Sequence, residues 1–246
     1  MPLMRPAFVI RSFLSVAVVA VAAVPLQAQT AARSDVFIVA TLYQRHATTP
    51  LYSHDSLRQI IRRINPTAVV LDVSPNELQA QAVHPSKAEY PEVIFPLVRS
   101  ERYRAYPGEP PEPTFGEIVA QLGAELKRFQ AEFPALAEAD RAYSTATYAA
   151  LAALWRSPAD VNGRVTDALL RARRAYQDRL AGPRVADAWQ RWNDHAALMV
   201  GQAVAEHPGK RILVLIGVEN TGLLRTTLAT DPRMRLVEME EWLRTP

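Results

Sequence analysis

The sequence predicts an α/β protein with a mainly parallel, doubly wound sheet and a helical insert of about four helices. Apolar runs that suit buried parallel strands alternate with helix-period segments early in the chain, and such a run returns near its end. Between them, residues 114–206 show helical periodicity without a strand-like run. We therefore expect residues 29–246 to form a single α/β domain that contains this insert.

The chain starts with a segment typical of an export signal. Arg5 and Arg11 accompany an apolar run over residues 13–24, and Leu26-Gln27-Ala28 forms a small-residue cleavage site. The run is shorter than the ~20 residues that a membrane span needs. The sequence predicts a signal peptide, residues 1–28, and a periplasmic or secreted mature protein without a stable membrane anchor. An uncleaved N-terminal anchor is the alternative.

Composition excludes several classes of function. The formal net charge of +3 falls to +1 when the two signal-peptide arginines are removed, and basic residues cluster no further than pairs such as Arg62-Arg63. This pattern does not indicate nucleic-acid binding. The absence of cysteine excludes disulfides, thiolate metal sites and a cysteine nucleophile.

The first part of the mature chain reads as strand, helix, strand, helix, helix and strand. Residues 35–43 predict the first strand, with an apolar core at residues 36–40. Asp55 or Ser53 can cap the helix that follows, which has apolar residues at i, i+3, i+4 and i+7 until Asn65-Pro66 ends it. Residues 68–73 form the second strand, and Ser74 with Glu77 predicts a capping box. Residues 89–100 favour a helix and residues 102–106 a third strand.

The helical insert follows a proline-rich linker over residues 109–113. Thr114 and Glu117 predict a capping box for its first helix, and Pro134 separates that helix from a second one that reaches Trp155. Ser157 is expected to cap a third helix that Gly182-Pro183 ends, and a fourth helix ends near residue 206. Trp189 and Trp192 on this last helix are interpreted as core residues.

The sheet resumes at Arg211, where residues 212–216 form a five-residue apolar run. Thr221 is a plausible N-cap for the helix that follows, and residues 235–239 predict a last strand. Open α/β sheets bind ligands at the carboxyl ends of their strands. We therefore expect the site where these strands end.

Four polar residues follow the predicted strands at these ends. Tyr43 ends the first strand and Asp72 the second, while Glu219 and Asn220 follow the strand at residues 212–216. His46 lies just beyond Tyr43 and is interpreted as an exposed loop residue or a ligand. Nucleophile-elbow, phosphate-loop, zinc and dinucleotide motifs are absent from the sequence.

The order of elements and several motifs resemble the TraB/ChaN-like superfamily, which includes TraB relatives, erythromycin esterases and haem-binding ChaN lipoproteins. The family's Gly-Thr-x-His motif corresponds to Ala40-Thr41-Leu42-Tyr43, and its Gly-x-x-His motif to Gly217-Val218-Glu219-Asn220. Asp72 stands at the position of a family glutamate, and Asn193 lies near an Arg-Asn pair. Glu92 belongs to a further matching segment. Tyr43 and Asn220 replace the two family histidines, so the chain resembles a degenerate member.

Two functions follow from this resemblance. The first is a non-catalytic or weakly active protein that binds a small molecule, with a tetrapyrrole as the ligand that the ChaN-like relatives imply and Tyr43, Glu92, Asn193 and Asn220 as binding residues. The alternative is an ester, amide or peptide hydrolase, possibly metal-assisted. Asp72 would then act as general base or metal ligand, with His46 or Glu219 assisting.

Overall fold

The chain folds around a five-stranded, all-parallel sheet in the computed structural model, which describes residues 32–245. The strands are β1 (Ser34–Thr41), β2 (Ala68–Leu71), β3 (Arg104–Pro107), β4 (Arg211–Gly217) and β5 (Met234–Leu236). Their order across the sheet is β3, β2, β4, β1, β5. The predicted signal peptide lies outside the described residues.

The pairing register aligns the carboxyl ends of the central strands. Thr41 at the end of β1 pairs with Gly217 at the end of β4, and Leu71 at the end of β2 pairs with Leu215. Because the strands are parallel, the residues that follow them leave the sheet at one edge. This edge is where the sequence predicts a site.

The described residues also form ten α-helices. They are α1 (His54–Ile64), α2 (Pro75–Ala80), α3 (Phe95–Ser100), α4 (Thr114–Glu132), α5 (Pro134–Leu154), α6 (Pro158–Val161), α7 (Arg164–Ala181), α8 (Pro183–Glu206), α9 (Val218–Leu228) and α10 (Met239–Arg244). Short turns of 3₁₀ helix cover Tyr43–Thr48 and Pro50–Tyr52, and a π-helical turn over Tyr90–Ile94 precedes α3. No helix of residues 32–245 is long and apolar enough to cross a membrane.

Helices cover both faces of the sheet, so the predicted doubly wound class is confirmed. Phe37 and Val39 of β1 join a core that includes Leu57 of α1 and Met239 of α10. The alternate residues of β1 join a second core on the opposite face, with apolar residues of α8 and α9. Strands that are apolar on both faces are thereby buried on both sides, as in other parallel sheets.

The N-terminal part of the sheet matches the sequence predictions closely. Ser53 caps α1 by accepting a hydrogen bond from the Ser56 N–H, and Asn65 ends that helix in a left-handed conformation. The capping box of Ser74 and Glu77 is present at α2. The third strand begins two residues later than predicted, because Arg102 has φ of +56° and cannot belong to an extended strand.

Two predictions about the helices of the insert are wrong. Thr114 does not cap α4, since Pro113 is the N-cap residue and the Glu112 carboxylate accepts the Gly116 N–H instead. The predicted third helix of the insert is two helices, α6 and α7. They separate at Asn162-Gly163, where the Asn162 side chain accepts a 2.8 Å hydrogen bond from the Ala40 N–H of β1.

The other two differences lie after the insert. Helix α9 begins directly at Val218, so Thr221 is inside the helix and its hydroxyl binds the Asp167 carboxylate at 2.8 Å instead of capping it. The last strand is only three residues long and ends at Leu236. Residues 239–244, the first of which was assigned to that strand, form α10, whose Met239 enters the core.

Candidate functional site

A cleft of about 470 Å³ lies at the carboxyl edge of the sheet. Its polar lining comes from the segments that follow β1, β2, β3 and β4, and its apolar lining comes from α4 and α8. The lining residues are Tyr43, Asp72, Glu77, His84, Ser86, Lys87, Glu109, Phe115, Trp189, Trp192, Glu219 and Asn220. A mainly apolar cavity with a few convergent polar groups is the usual form of a small-molecule site.

Asp72 is the polar centre of the cleft and is only 4% exposed. Its Oδ2 atom accepts hydrogen bonds from the Tyr43 hydroxyl at 2.6 Å and from the Gly217 N–H at 3.3 Å. No donor among residues 32–245 is hydrogen-bonded to its Oδ1 atom. The carboxylate is therefore fixed through one oxygen, and the other can accept a hydrogen bond from a ligand.

Tyr43 reaches Asp72 through an uncommon backbone conformation. Its φ is +52°, in the left-handed region that a residue with a large side chain rarely adopts. Such a conformation costs of order 1–3 kcal/mol and persists where the surrounding structure enforces it. A Cβ atom at position 217 would overlap the Tyr43 hydroxyl, so glycine at that position makes the approach possible. Burial and the Asp72 carboxylate raise the pKa of Tyr43 well above its usual value, which keeps the hydroxyl a donor.

Lys87 and Glu109 form a buried, hydrogen-bonded pair beside Asp72. The Lys87 ammonium donates to the Glu109 carboxylate and to the Asp72 backbone carbonyl, each at 2.5 Å. Burial, assisted by the Asp72 carboxylate, raises the pKa of Glu109 far above its usual range. Burial opposes the charge on Lys87, but the nearby Asp72 carboxylate outweighs this effect and raises the pKa of the ammonium. The pair therefore holds its protons tightly within the wall of the cleft.

Glu89 is completely buried, with an exposed fraction of 0%. Both of its carboxyl oxygens, and the hydroxyl of nearby Thr41, have no hydrogen-bond partner among the described residues. Burial raises the pKa of Glu89 to about 7. A carboxyl group in such a position is stable when it carries a proton.

Glu219 lines the same cleft and is held by three side chains of the insert. The Tyr148 hydroxyl and the Arg173 and Arg174 guanidinium groups all donate to its carboxylate, Arg173 at 2.7 Å. Arg174 also lies 3.9 Å over the Trp189 ring. Because both carboxylate oxygens have donors, Glu219 serves mainly to anchor α9 to the insert.

Phe115, Trp189 and Trp192 form the aromatic wall of the cleft. Trp192 contacts both of the other rings, with centroid separations of 5.3 Å to Phe115 and 6.3 Å to Trp189. Asn220 lines the cleft beside this wall and accepts a long, 3.5 Å hydrogen bond from the buried Asn193 amide. The two tryptophans, interpreted as core from the sequence, thus also form ligand-accessible surface.

The structure does not bring His46 into the cleft. The residue is 2% exposed, which contradicts its interpretation as an exposed loop residue. Its Nε2 atom accepts from the Leu42 N–H at 2.9 Å, and its Nδ1 atom lies 2.7 Å from the Tyr52 carbonyl. Both ring nitrogens are occupied by the turn after β1, and burial lowers the pKa of the imidazole to about 4. His46 therefore organises the backbone and is not placed to assist Asp72.

Glu92 and His195 also lie outside the set of lining residues. The Glu92 carboxylate pairs with His54 of α1 at 2.7 Å and is largely solvent-exposed. Burial lowers the pKa of His195 on α8, while the Pro107 carbonyl acts in the opposite direction. The structure therefore unites Tyr43, Asp72, Glu219 and Asn220 with Asn193 just behind them, and separates them from Glu92 and His46.

No group of three or more His, Cys, Asp or Glu side chains among residues 32–245 is arranged to hold a metal ion. The cleft itself offers Asp72, whose fixed oxygen is already hydrogen-bonded, and Glu109, which is paired with Lys87. These side chains do not fit the ligand set that a metal-assisted reaction needs. The metal-assisted form of the hydrolase hypothesis therefore has no support from the described side chains.

Sequence reasoning missed Lys87 and Glu109. Lys87 lies in a polar loop, and Glu109 opens a segment that was interpreted as a linker. The Gly108 N–H donates to Leu71 and the Glu109 N–H to Val73, so this segment extends the β2 edge into the cleft. The one local signal is Pro107-Gly108 at the end of β3, which predicts a turn at the ligand-binding edge.

Comparison of the chain with family models, with curated proteins and with solved structures finds no match.

Proposed function

We propose that this protein binds a small organic molecule in the cleft at the carboxyl edge of its sheet. The proposal rests on a cleft that is lined both by a fixed carboxylate, Asp72, and by the aromatic wall of Phe115, Trp189 and Trp192. Aromatic side chains supply contact area, while one or two fixed polar groups orient a ligand. The degenerate TraB/ChaN-like resemblance supports the same reading.

The polar groups of the cleft favour a ligand that donates hydrogen bonds. Asp72 has a free acceptor oxygen, whereas the Lys87 ammonium is already engaged by Glu109 and by the Asp72 carbonyl. A ligand ammonium or hydroxyl group would satisfy Asp72, and its apolar body would contact the tryptophans. The proposed ligand is therefore a small aromatic or aliphatic molecule with an amine or hydroxyl group.

Phenethylammonium and 2-phenylethanol test this proposal because they share the ring and differ in the donor. Titration followed by tryptophan fluorescence should show saturable binding of both, with the ammonium tighter because it pairs with a carboxylate. Trp189→Ala should weaken the binding of both probes. Trp242→Phe, in α10 and outside the cleft lining, should leave both affinities unchanged. If neither probe shows saturable binding, the proposed ligand class is contradicted.

A tetrapyrrole enters the proposal through the family resemblance alone. The aromatic wall could stack against a flat macrocycle, and His84 is the histidine that lines the cleft. Titration with haemin and with metal-free protoporphyrin, each compared between the wild type and Trp192→Ala, tests this ligand. Binding that is insensitive to the substitution would place the tetrapyrrole elsewhere and remove it from the proposal.

A hydrolase remains the second candidate, and the buried Lys87–Glu109 pair is the observation that favours it. Asp72 would accept a proton from the attacking water, and Glu109, whose raised pKa favours the protonated form, would donate a proton to the leaving group. Assays of ester, amide and peptide hydrolysis with the wild type and Asp72→Asn test this reading. Activity that survives the substitution would exclude Asp72 as the base.

Export to the periplasm or beyond belongs to the same proposal. It is supported by the apolar N-terminal segment and by the small-residue site at Ala28. N-terminal sequencing of protein from an envelope or secreted fraction should give Gln29 as the first residue. A cytoplasmic protein that retains Met1 would contradict this prediction.

A further inference from the structure

A second cavity, of about 390 Å³, lies between the turns after β1 and the carboxyl-terminal end of α5. Its polar lining consists of Arg45, Thr48, Thr49 and Arg156, and Tyr148 and Trp155 contribute aromatic surface. No acidic residue is among those that line it. The charged side chains that line it are therefore cationic, whereas most of those that line the cleft around Asp72 are carboxylates.

The two arginines of this cavity carry positive charges that no carboxylate among the described residues neutralises. Neither the Arg45 nor the Arg156 guanidinium makes an ion pair or hydrogen bond with residues 32–245. Arg173 and Arg174, by contrast, both bind Glu219, and Arg225 binds Asp167. Two like charges that line one cavity repel each other, and a bound anion would offset this repulsion.

Arg45 is nevertheless held in place. Its guanidinium lies 4.2 Å from the centroid of the Tyr148 ring, and the Tyr148 hydroxyl is itself fixed by Glu219. Stacking of this kind uses the face of the guanidinium and leaves its N–H donors free. An arginine that is positioned before binding loses less side-chain entropy when it binds an oxyanion.

The remaining walls of the cavity are apolar. Leu51 is 52% exposed although it is a large aliphatic residue, and it lines the cavity together with Pro50. The Trp155 ring is fixed by a 2.9 Å hydrogen bond from its Nε1 atom to the Thr166 hydroxyl. A ligand with an apolar body could cover this surface while its anionic group meets the arginines.

We propose that Arg45 and Arg156 form a binding site for the oxyanion group, phosphate or carboxylate, of a small molecule with an apolar body. Thr48 and Thr49 line the same cavity, and the ligand body rests mainly on Pro50 and Leu51. Arginine forks match the paired oxygens of both anions. This site does not depend on the cleft around Asp72 and would bind its ligand even if that cleft binds nothing.

Calorimetric titration with phenyl phosphate, benzoate and inorganic phosphate tests this site. The wild type should bind phenyl phosphate more tightly than inorganic phosphate, because the ring covers apolar surface. The affinity should fall with added salt. Whichever of phenyl phosphate and benzoate binds more tightly identifies the oxyanion, and either result supports the site.

Substitution of the two arginines tests whether the probe binds in this cavity. Arg45→Ala and Arg156→Ala should each weaken the tighter aromatic probe by about tenfold or more, and the double variant should abolish binding. Arg179→Ala, which removes an exposed arginine of α7 outside the cavity, is the matched control and should leave the affinity unchanged. The proposal is overturned if the wild type shows no saturable binding, or if the double variant binds as the wild type does. Both arginines are exposed, so circular dichroism should show folded variants in every case.

Discussion

The hydroxyl of Tyr43 donates a 2.6 Å hydrogen bond to Asp72 Oδ2, and this bond joins the ends of β1 and β2 across the intervening strand β4. It requires a left-handed backbone at Tyr43 and glycine at position 217. The hydrogen bond therefore fixes the orientation of the carboxylate that we propose as the ligand anchor.

Tyr43→Phe removes this hydrogen bond and keeps the ring. We expect a loss of about 1.5 to 3 kcal/mol in the free energy of unfolding, which is typical for a hydrogen bond to a charged group. Chemical denaturation at neutral pH measures the loss. Tyr143→Phe is the control, since Tyr143 is 38% exposed and its hydroxyl has no hydrogen bond among the described residues. Equal stability of the two variants would contradict the role given to the Tyr43 hydroxyl.

Gly217→Ala should displace the Tyr43 ring and destabilise the protein by about 1 to 3 kcal/mol, as overpacking usually does. The backbone at Gly217, with φ of −53° and ψ of 138°, suits alanine, so the cost is steric. The cost should largely disappear in a Tyr43→Ala background, because the overlapping hydroxyl is then absent. Gly123→Ala, whose new methyl group meets nothing within 4 Å, should not be destabilising. A cost at position 217 that is the same in both backgrounds would exclude the overlap as its cause.

Glu89 should make the protein less stable as the pH rises. Its folded-state pKa of about 7 exceeds the ordinary value of 4.5, so its contribution is fully present below pH 4.5 and is lost as the pH rises through about 7. The shift corresponds to about 3 kcal/mol. Glu89→Gln should remove this dependence, as denaturation series between pH 4.5 and 8 would show. Parallel stability profiles of the wild type and the variant would contradict a buried, protonated Glu89.

The titration of His46 should make the protein less stable as the pH falls, which is opposite to the effect of Glu89. Burial lowers the pKa of His46 from 6.5 to about 4, so its contribution is fully present above pH 6.5 and is lost as the pH falls to about 4. The loss is also about 3 kcal/mol, and it nearly cancels the effect of Glu89 in the same range. His46→Gln should remove the acid sensitivity and leave the alkaline loss due to Glu89 visible. A stability profile of this variant that runs parallel to that of the wild type would show that His46 does not titrate with folding.

The fold could be predicted from the sequence largely because burial on both faces of a parallel strand produces continuous apolar runs. The runs at residues 36–40, 68–71 and 212–216 all became strands. Helix starts were predicted where a side chain caps locally, as at Ser53 and Ser74. The prediction that Thr114 caps α4 is wrong because the Glu112 carboxylate accepts the Gly116 N–H in the first turn of the helix. Short elements such as α10 depend on packing that a local pattern does not encode.

The site was predictable only where strand ends define it. Asp72, Tyr43, Glu219 and Asn220 follow strands that the parallel register brings to one edge. Glu109 and Lys87 meet through contacts that join β3 and a loop to the edge of β2. The burial of His46 arises from its own turn folding back on Leu42 and Tyr52, which its polar sequence neighbours do not indicate.

Calorimetric titration of phenethylammonium into the wild type and Asp72→Asn tests the central proposal most directly. Asparagine keeps the size of the side chain and an acceptor oxygen but removes the charge, so the Tyr43 hydroxyl can still hold it in position. We expect the affinity for phenethylammonium to fall by about tenfold or more, while that for 2-phenylethanol changes much less. An unchanged affinity for the ammonium probe in a folded Asp72→Asn protein would contradict the proposal that this carboxylate anchors the ligand.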